Sequence, residues 1–302
     1  MFKKVIRYAS DPYYALGYDM IKKCPKLMSD KFYLSVLWKM VMGYELDWKN
    51  PKTYNEKLQW LKLHDRNPLY TTLVDKYRVK QWVANKIGEQ YVIPTLAVYN
   101  SADEIDLGQL PNQFVLKCNH DSGSVCICRD KSSFDIESAK EKLNAALKRN
   151  FFWEAREWPY KNVKKCIFAE SYIEDPISHS LPDYKFFGFN GEVKALFIAT
   201  ERSNEDTETR FDFFDTNFNH INITNGHPNA DRCPSRPRHF EKMIRLTQIL
   251  SKDLPQIRCD FYETSDRLYF GEITFYHWGG LMKFEPQDFD LTMGSWCRLP
   301  ID

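Results

Sequence analysis

Residues 257–280 read IRCDFYETSDRLYFGEITFYHWGG. Two apolar runs, IRCDFY and LYFGEIT, flank the polar tip ETSDR, which is the one-dimensional form of a β-hairpin. Asp260 falls in the middle of the first strand and Glu272 in the middle of the second. Acids fit poorly on a half-buried pleated surface. Desolvating a carboxylate costs several kcal/mol unless a cation stands beside it. That cation can be a cross-strand partner such as Arg258 or Lys283, since opposite charges are ordinary neighbours across a sheet. It can also be a metal ion. The hairpin alone leaves both open.

A chain of 302 residues can bury a large core, in one large domain or two closely joined ones. Its 42 basic residues balance 41 acidic ones, so there is no whole-chain footprint for nucleic acid. Residues 1–60 hold eleven Lys/Arg against six Asp/Glu. The stretch FKKVIRY mixes basic and apolar residues in a way that suits an anionic membrane surface, although a solvated helix start has the same mix. There is no signal-peptide core and no long apolar run. The expected location is the cytoplasm, with peripheral contact at the inner membrane face as an option. Of eight cysteines, Cys118, Cys126, Cys128, Cys166 and Cys259 fall inside apparent strands. Placed there, they read as small buried hydrophobes of a reducing compartment. Cys126-x-Cys128 lacks a second pair at zinc spacing.

Residues 1–70 read as helical. Thr53-Tyr-Asn-Glu56 is a capping-box pattern that opens the helix NEKLQWLKLH. A second helix, DKYRVKQWVANKIG, carries Val79, Trp82, Val83 and Ile87 at helical spacing and ends at Gly88. The strands YVIPTLAVY, QFVLKC and SVCIC follow, then the helix in SSFDIESAKEKLNAALKRN, then the strand CIFAESYI. In YKFFGFNGEVKALFIA, Asn190-Gly191 marks a tight hairpin. Residues 203–238 read as polar and irregular, with Arg232, Arg236 and Arg238 near three prolines. The helix HFEKMIRLTQILSKDL precedes the hairpin at 257–280. Helices and mostly antiparallel strands in blocks predict an α+β fold.

Four features share one need, a nucleoside triphosphate. Lys117 ends the strand FVLK before the turn CNHDSGS, where an ammonium and backbone N–H groups can meet phosphate oxygens. Lys76 is expected in the first turn of its helix, a poor place for a cation unless an anion is near or Asp75 pairs with it. Glu170 ends an apolar strand at a change of direction, where backbone groups can meet a purine edge. Asp260, Glu272 and Thr274 form an oxygen-only set, with Glu272 and Thr274 on one face of their strand; such a set suits Mg²⁺. No Walker-type glycine loop or kinase catalytic-loop motif occurs.

This order of parts resembles the ATP-grasp superfamily. More narrowly, the chain resembles the TupA-like family named for teichuronopeptide biosynthesis, found among bacterial surface-polysaccharide genes. NPKTYNEKLQWLKL, DKYRVKQWV, FVLKCNHDSGS, FAESYIE, DYKFFGFNGEVK and FGEITFYHWGG carry the match, from about residue 50 to residue 285. The resemblance implies an ATP-grasp fold, with two α+β subdomains enclosing ATP, and a helical N-terminal region. The boundaries it implies are 1–70 for the helical region and 71–302 for the ATP-grasp domain. Within the latter, about 75–170 would cover ATP and about 171–302 would bind metal and substrate.

By the same resemblance, Lys76 and Lys117 would hold phosphates beneath a loop that includes Ser122 and Gly123. Glu170, with the backbone of Ser171 to Ile173, would face adenine. Asp183 would sit near the ribose and Lys185 near the phosphates. Arg202 would act on the phosphate side, and Arg258 would steady an acyl phosphate. Asp260, Glu272 and Thr274 would hold Mg²⁺, with Thr274 where many relatives have Asn. His277, Gly279 and Gly280 would hold the acceptor carboxylate. With the resemblance in place, the cation at the hairpin acids is read as Mg²⁺.

The implied reaction is carboxylate–amine ligation by ATP and Mg²⁺, on a uronic acid or glutamyl carboxylate of a surface glycan. The amine partner would be an amino acid or amino alcohol. The alternatives are a kinase of a sugar or polyol hydroxyl and a glycan-binding protein with a vestigial ATP site.

Overall fold

The computed structural model describes residues 17, 19–21, 23–177, 181–201 and 208–300. The FKKVIRY stretch lies outside them. Ahead of the first strand come the helices α1 (Asp30–Met42), α2 (Tyr54–His64), α3 (Leu69–Val74) and α4 (Val79–Ile87). The expected capping box forms at α2. The Thr53 hydroxyl accepts from the Glu56 N–H at 3.2 Å, while the Glu56 carboxylate accepts from the Thr53 N–H at 3.0 Å.

The start of α4 corrects the reading of Lys76. The Asp75 carboxylate accepts from the N–H groups of Tyr77 (3.0 Å) and Arg78 (2.9 Å) and also pairs with the Arg78 guanidinium. That side-chain turn delays the helix to Val79. Lys76 therefore sits in the turn before the helix, and its N–H donates to the Asn119 carbonyl at 2.9 Å.

The strands β1 (Thr95–Tyr99), β2 (Phe114–Cys118), β3 (Cys126–Cys128) and β4 (Ile167–Ser171) form a sheet of order β1-β4-β2-β3. Helix α5 (Ile136–Lys148) covers one of its faces with Ala139, Leu143 and Ala146, against Phe114, Leu116, Cys118, Ile167 and Ala169. By strand alternation the other face carries Val115, Lys117, Phe168 and Glu170. The short helix α6 (Phe152–Ala155) follows α5 in the chain.

A larger antiparallel sheet has the order β10-β9-β5-β6-β7-β8. Its strands are β5 (Asp183–Phe189), β6 (Glu192–Thr200), β7 (Arg210–Phe214), β8 (His220–Ile221), β9 (Ile257–Glu263) and β10 (Leu268–Thr274). The Asn190-Gly191 turn joins β5 to β6 with both residues at positive φ, +46° and +85°. Strands β7 and β8 correct the irregular reading of 203–238. RFDFF alternates too briefly between polar and charged neighbours to stand out, yet Phe211 and Phe213 are buried beside Phe197.

Two further helices, α7 (Phe240–Ser251) and α8 (Asp288–Trp296), pack on this sheet. Phe186 meets Phe240 of α7 on one face. Its neighbour Phe187 meets Tyr54 of α2 on the other, and Trp296 of α8 meets Phe189. The side chains of Asp183 and Lys185 alternate onto the Phe187 face, away from α7. Each sheet has its own apolar cluster, and α2, α3 and α4 share that of the larger sheet. All eight cysteines are free, six of them buried. Among the described residues, no helix is long and apolar enough to cross a membrane.

Helix α8 comes close to the start of α2. Asp290 accepts from the backbone and side-chain nitrogens of Asn55, both at 3.0 Å. A Cβ on Gly294 would stand 2.1 Å from the Lys52 carbonyl oxygen. Backbone cannot yield as a flexible side chain does. Gly294→Ala is expected to cost about 1–3 kcal/mol, read in the denaturation midpoint. Ser295→Ala on the exposed side should stay within roughly 0.5 kcal/mol.

Candidate active site

Strand pairing builds the centre of the site. Lys185 of β5 lies opposite Asp260 of β9, and Asp260 lies opposite Glu272 of β10. Directly paired residues share a face, so the three charges form one row. Two residues along, Arg258 lies opposite Thr274, and at the other end Asp183 lies opposite Tyr262. A bulge at Gly271 keeps Glu272 in register with Asp260.

The hairpin acids hold protein cations. Arg258 donates to Asp260 twice, through Nε (2.7 Å) and Nη2 (2.8 Å). Lys185 pairs with the same carboxylate and with Asp183 at 2.6 Å. Lys76 pairs with Glu272. The Thr274 hydroxyl accepts from Arg258 at 3.0 Å. Burial would raise the Glu272 carboxyl, but Lys76, then Lys185 and Arg258, outweigh it and hold it below its ordinary range. Burial pushes Asp260 up despite Arg258 and Lys185. Of the two partners the sequence suggested, Arg258 is in place and Lys283 is not.

Two clefts open beside this row. One, of about 260 Å³, lies between the sheets. Lys76, Lys80, Lys117, Glu170, Asp183 and Glu272 supply its polar walls, and Phe168, Phe270, Val92 and Val125 are among its apolar ones. The other, of about 590 Å³, includes Lys185, Arg258, Thr274, His277 and Gly279 in its lining. Lys76, Ser122 and Glu272 belong to both.

The 119–124 loop is anchored at its ends and open at its tip. Asn119 donates to Asp75 (2.8 Å) and to the Lys164 carbonyl (3.0 Å). Ser124 accepts from the Cys118 N–H at 3.1 Å and donates to Asp121. Ser122 and Gly123 between them are exposed.

His277 is fully buried. Arg258 can only donate, so Nδ1 of His277 accepts from it at 2.8 Å and Nε2–H donates to Asn225 Oδ1 at 2.8 Å. Burial, Arg258 and Lys185 all push this imidazole far below its ordinary value, so it stays neutral. Trp278, Gly279 and Gly280 all take positive φ, between 51° and 64°. The Gly279 carbonyl accepts from Lys62 at 2.7 Å and Gln59 at 3.0 Å, which fixes the loop on α2.

Several expectations change. The Glu170 carboxylate is held between Lys80 at 2.7 Å and Lys117, so it is occupied by cations in this structure. Ser171 donates its N–H to the Pro94 carbonyl at 3.0 Å, and neither it nor Ile173 lines the cleft. Gly280 is buried against Gln59 and Leu58 and lines neither cleft. Arg202 lies outside the described residues. Arg232, Arg236 and Arg238 are exposed and line neither cleft. Lys80 went unnoticed in the sequence. Its position four residues after Lys76 was the available signal, although only Lys80 is helical.

Facing antiparallel sheets with lysines between them and paired acids on adjacent strands make an ATP-grasp protein. The family model described as TupA-like ATPgrasp matches residues 56–297, and the chain belongs to that family. ATP-grasp ligases use ATP and Mg²⁺. No curated protein matches the sequence significantly. Among solved structures, D-alanine–D-alanine ligase from Helicobacter pylori is 13% identical, covering 83% of this chain and 70% of that one, with a TM-score of 0.44. The Bacillus anthracis ligase complexed with ATP is 14% identical over 68% of this chain and 55% of its own, with a TM-score of 0.38. The match thus spans about half of that enzyme. The ATP-grasp ligase PsnB, complexed with a phosphomimetic variant of its minimal precursor, Mg and ADP, is 10% identical. That match covers 80% of this chain and 67% of the other, with a TM-score of 0.39.

Burial would raise Glu170, but Lys117 and Lys80 outweigh it and hold its carboxyl below the ordinary value of 4.5. A depressed folded-state value contributes stability above the unfolded value that is lost as pH falls. Unfolding free energy should therefore drop as pH falls below 4.5, and less steeply in Glu170→Gln. Asp260, which is raised, contributes with the opposite sign but equally in both proteins. Denaturant titrations from about pH 6 to about pH 3 compare the slopes; identical slopes contradict the Glu170 pairing.

Proposed function

We propose that the chain is an ATP- and Mg²⁺-dependent ligase that joins a carboxylate to an amine through an acyl phosphate. The observation that carries this reading is the junction of the two clefts at Lys76, Ser122 and Glu272. A nucleotide in the smaller cleft would bring its terminal phosphate there, next to an acceptor in the larger one. Phe168, Phe270, Val92 and Val125 suit a purine. Lys76, Lys80 and Lys117 suit the phosphates, with Ser122 and Gly123 closing over them.

The donor set fits Mg²⁺. Asp260, Glu272 and Thr274 offer only oxygen. Among the described residues, no group of three or more His, Cys, Asp or Glu could hold a metal. Mg²⁺ needs no such cage, because it keeps waters and shares phosphate oxygens. When bound, it would neutralise phosphate charge. As lysines turn from carboxylates to phosphates, Glu272 and Asp260 would be left for the ion. Partner exchange keeps the acids compensated throughout.

A substrate carboxylate attacks the γ-phosphorus, giving an acyl phosphate and ADP, and an amine then displaces phosphate. Arg258 holds charge on the acyl oxygens. Neutral His277 orients Arg258 and is itself oriented by Asn225. Most of the catalysis is positioning and charge stabilisation. The finer reading follows the resemblance: a uronic acid or glutamyl carboxylate in surface-polysaccharide assembly, acted on by a lobe at about 171–302 with its ATP cover at about 75–170.

Hydroxylamine tests the reaction. With Mg·ATP and glucuronate or a glutamyl peptide, the wild type should form a hydroxamate, because an acyl phosphate is electrophilic at carbon. Arg258→Met should keep the thermal shift given by Mg·ATP and lose hydroxamate formation by about 10²-fold. Lys117→Ala should lower turnover by a similar factor. ADP accumulating with a phosphorylated sugar and no hydroxamate assigns the protein to sugar phosphorylation instead.

A further inference from the structure

The larger cleft contains a carboxylate that the reaction above leaves without a task. Lys76, Lys185 and Arg258 are the lysines and arginines that line this cleft among the described residues, and each is paired with Asp260 or Glu272. Glu157 also lines it, with 6% of its surface exposed. Among the described residues, no hydrogen bond or ion pair reaches its carboxylate. Its Oε1 lies 3.4 Å from where a Cβ on Gly279 would stand, so it borders the loop that follows His277.

The cation that acts on Glu157 is Lys62. Lys62 is buried in α2, bonded to Gln59 Oε1 (2.9 Å) and the Gly279 carbonyl (2.7 Å), and does not line the cleft. Burial pushes Glu157 up to about 7 although Lys62 opposes it, and burial lowers Lys62 to about 8 although Glu157 opposes that. A buried carboxylate without a paired cation is costly. A cation arriving in the cleft would relieve it. Phe151, Tyr160, Tyr276 and Trp278 wall the same space, and aromatic faces attract an ammonium. The Tyr160 hydroxyl is pushed up by burial, then by Glu157 and Glu272.

We infer that Glu157 anchors the amine substrate, which enters the larger cleft as an ammonium ion. This rests on the ligase reading above and names the side of the cleft that selects the amine. The chemistry balances simply. The ammonium passes one proton to Glu157 and becomes a neutral amine. Its lone pair forms the C–N bond at the acyl carbon as the C–O bond to phosphate breaks. The second nitrogen proton leaves with inorganic phosphate.

The test uses the full chain saturated with Mg²⁺ and a non-hydrolysable ATP analogue. Ethanolamine, L-alanine and cadaverine are the probes, with ethylene glycol and lactate as uncharged or anionic counterparts. Calorimetric titration should show wild type binding an ammonium probe and not its counterpart. Glu157→Gln should weaken that binding by roughly tenfold or more, and Glu157→Asp should restore part of it. The nucleotide's own thermal shift should be unchanged in both variants. Equal ammonium binding by wild type and Glu157→Gln overturns the inference. Wild type binding that ignores the ammonium, or no ammonium binding at all, also overturns it, even if Glu157→Gln does not fold. Loss of the nucleotide shift in wild type would instead count against the ligase reading, so the two failures are distinct.

Discussion

The register of β5, β9 and β10 is the constraint on which the site depends. It lines up Lys185, Asp260 and Glu272 across three neighbouring strands. A slip of one residue would turn every one of these charges to the α7 face, among Cys259, Phe261 and Phe186. Both ends of the register are secured. The tip of the β9–β10 hairpin is closed by the Thr264 N–H donating to the Arg267 carbonyl at 2.8 Å, and the Gly271 bulge absorbs the extra residue. Apolar packing behind the sheet and ion pairing in front of it therefore select the same alignment.

A row of buried charges is costly unless each has a partner. Here three cations, Lys76, Lys185 and Arg258, face the carboxylates Asp183, Asp260 and Glu272. Arg258 and Asp260 form a planar two-point contact, the geometry in which an arginine loses least freedom. The lysines are bound more loosely in kind, as point charges on flexible stems. The two-point contact and the single-point contacts thus fall on different residue types.

Much of this was legible in one dimension. The capping box at Thr53, the Asn190-Gly191 hairpin and the acids of the 257–280 hairpin follow from local chemistry, which acts over a few residues whatever surrounds them. The residues missed depend on partners distant in sequence. Lys80 gains meaning from Glu170, 90 residues on, and Lys76 from Glu272, 196 residues on. Strands β7 and β8 are short, and each forms on the edge its predecessor offers, β7 on β6 and β8 on β7. The displacement of Lys76 from its helix is a local effect that could have been read, since Asp75 two residues before Tyr77 is a side-chain turn signal. Glu157 carried no signal at all. Its isolation depends on which cations other carboxylates have already claimed.

The two clefts divide their chemistry along the same line. Lysines and apolar side chains line the smaller one, while aromatic walls and a buried acid without a partner among the described residues line the larger. They share the Ser122 tip of a loop whose ends are fixed by Asn119 and Ser124. A loop anchored this way can shift at its tip without disturbing β2 or the turn at Asp75. Closure over a phosphate would move Ser122 in the wall of the larger cleft as well. On the ligase reading, a nucleotide that drew the Ser122 tip over its phosphates would thereby reset the wall that the acceptor meets.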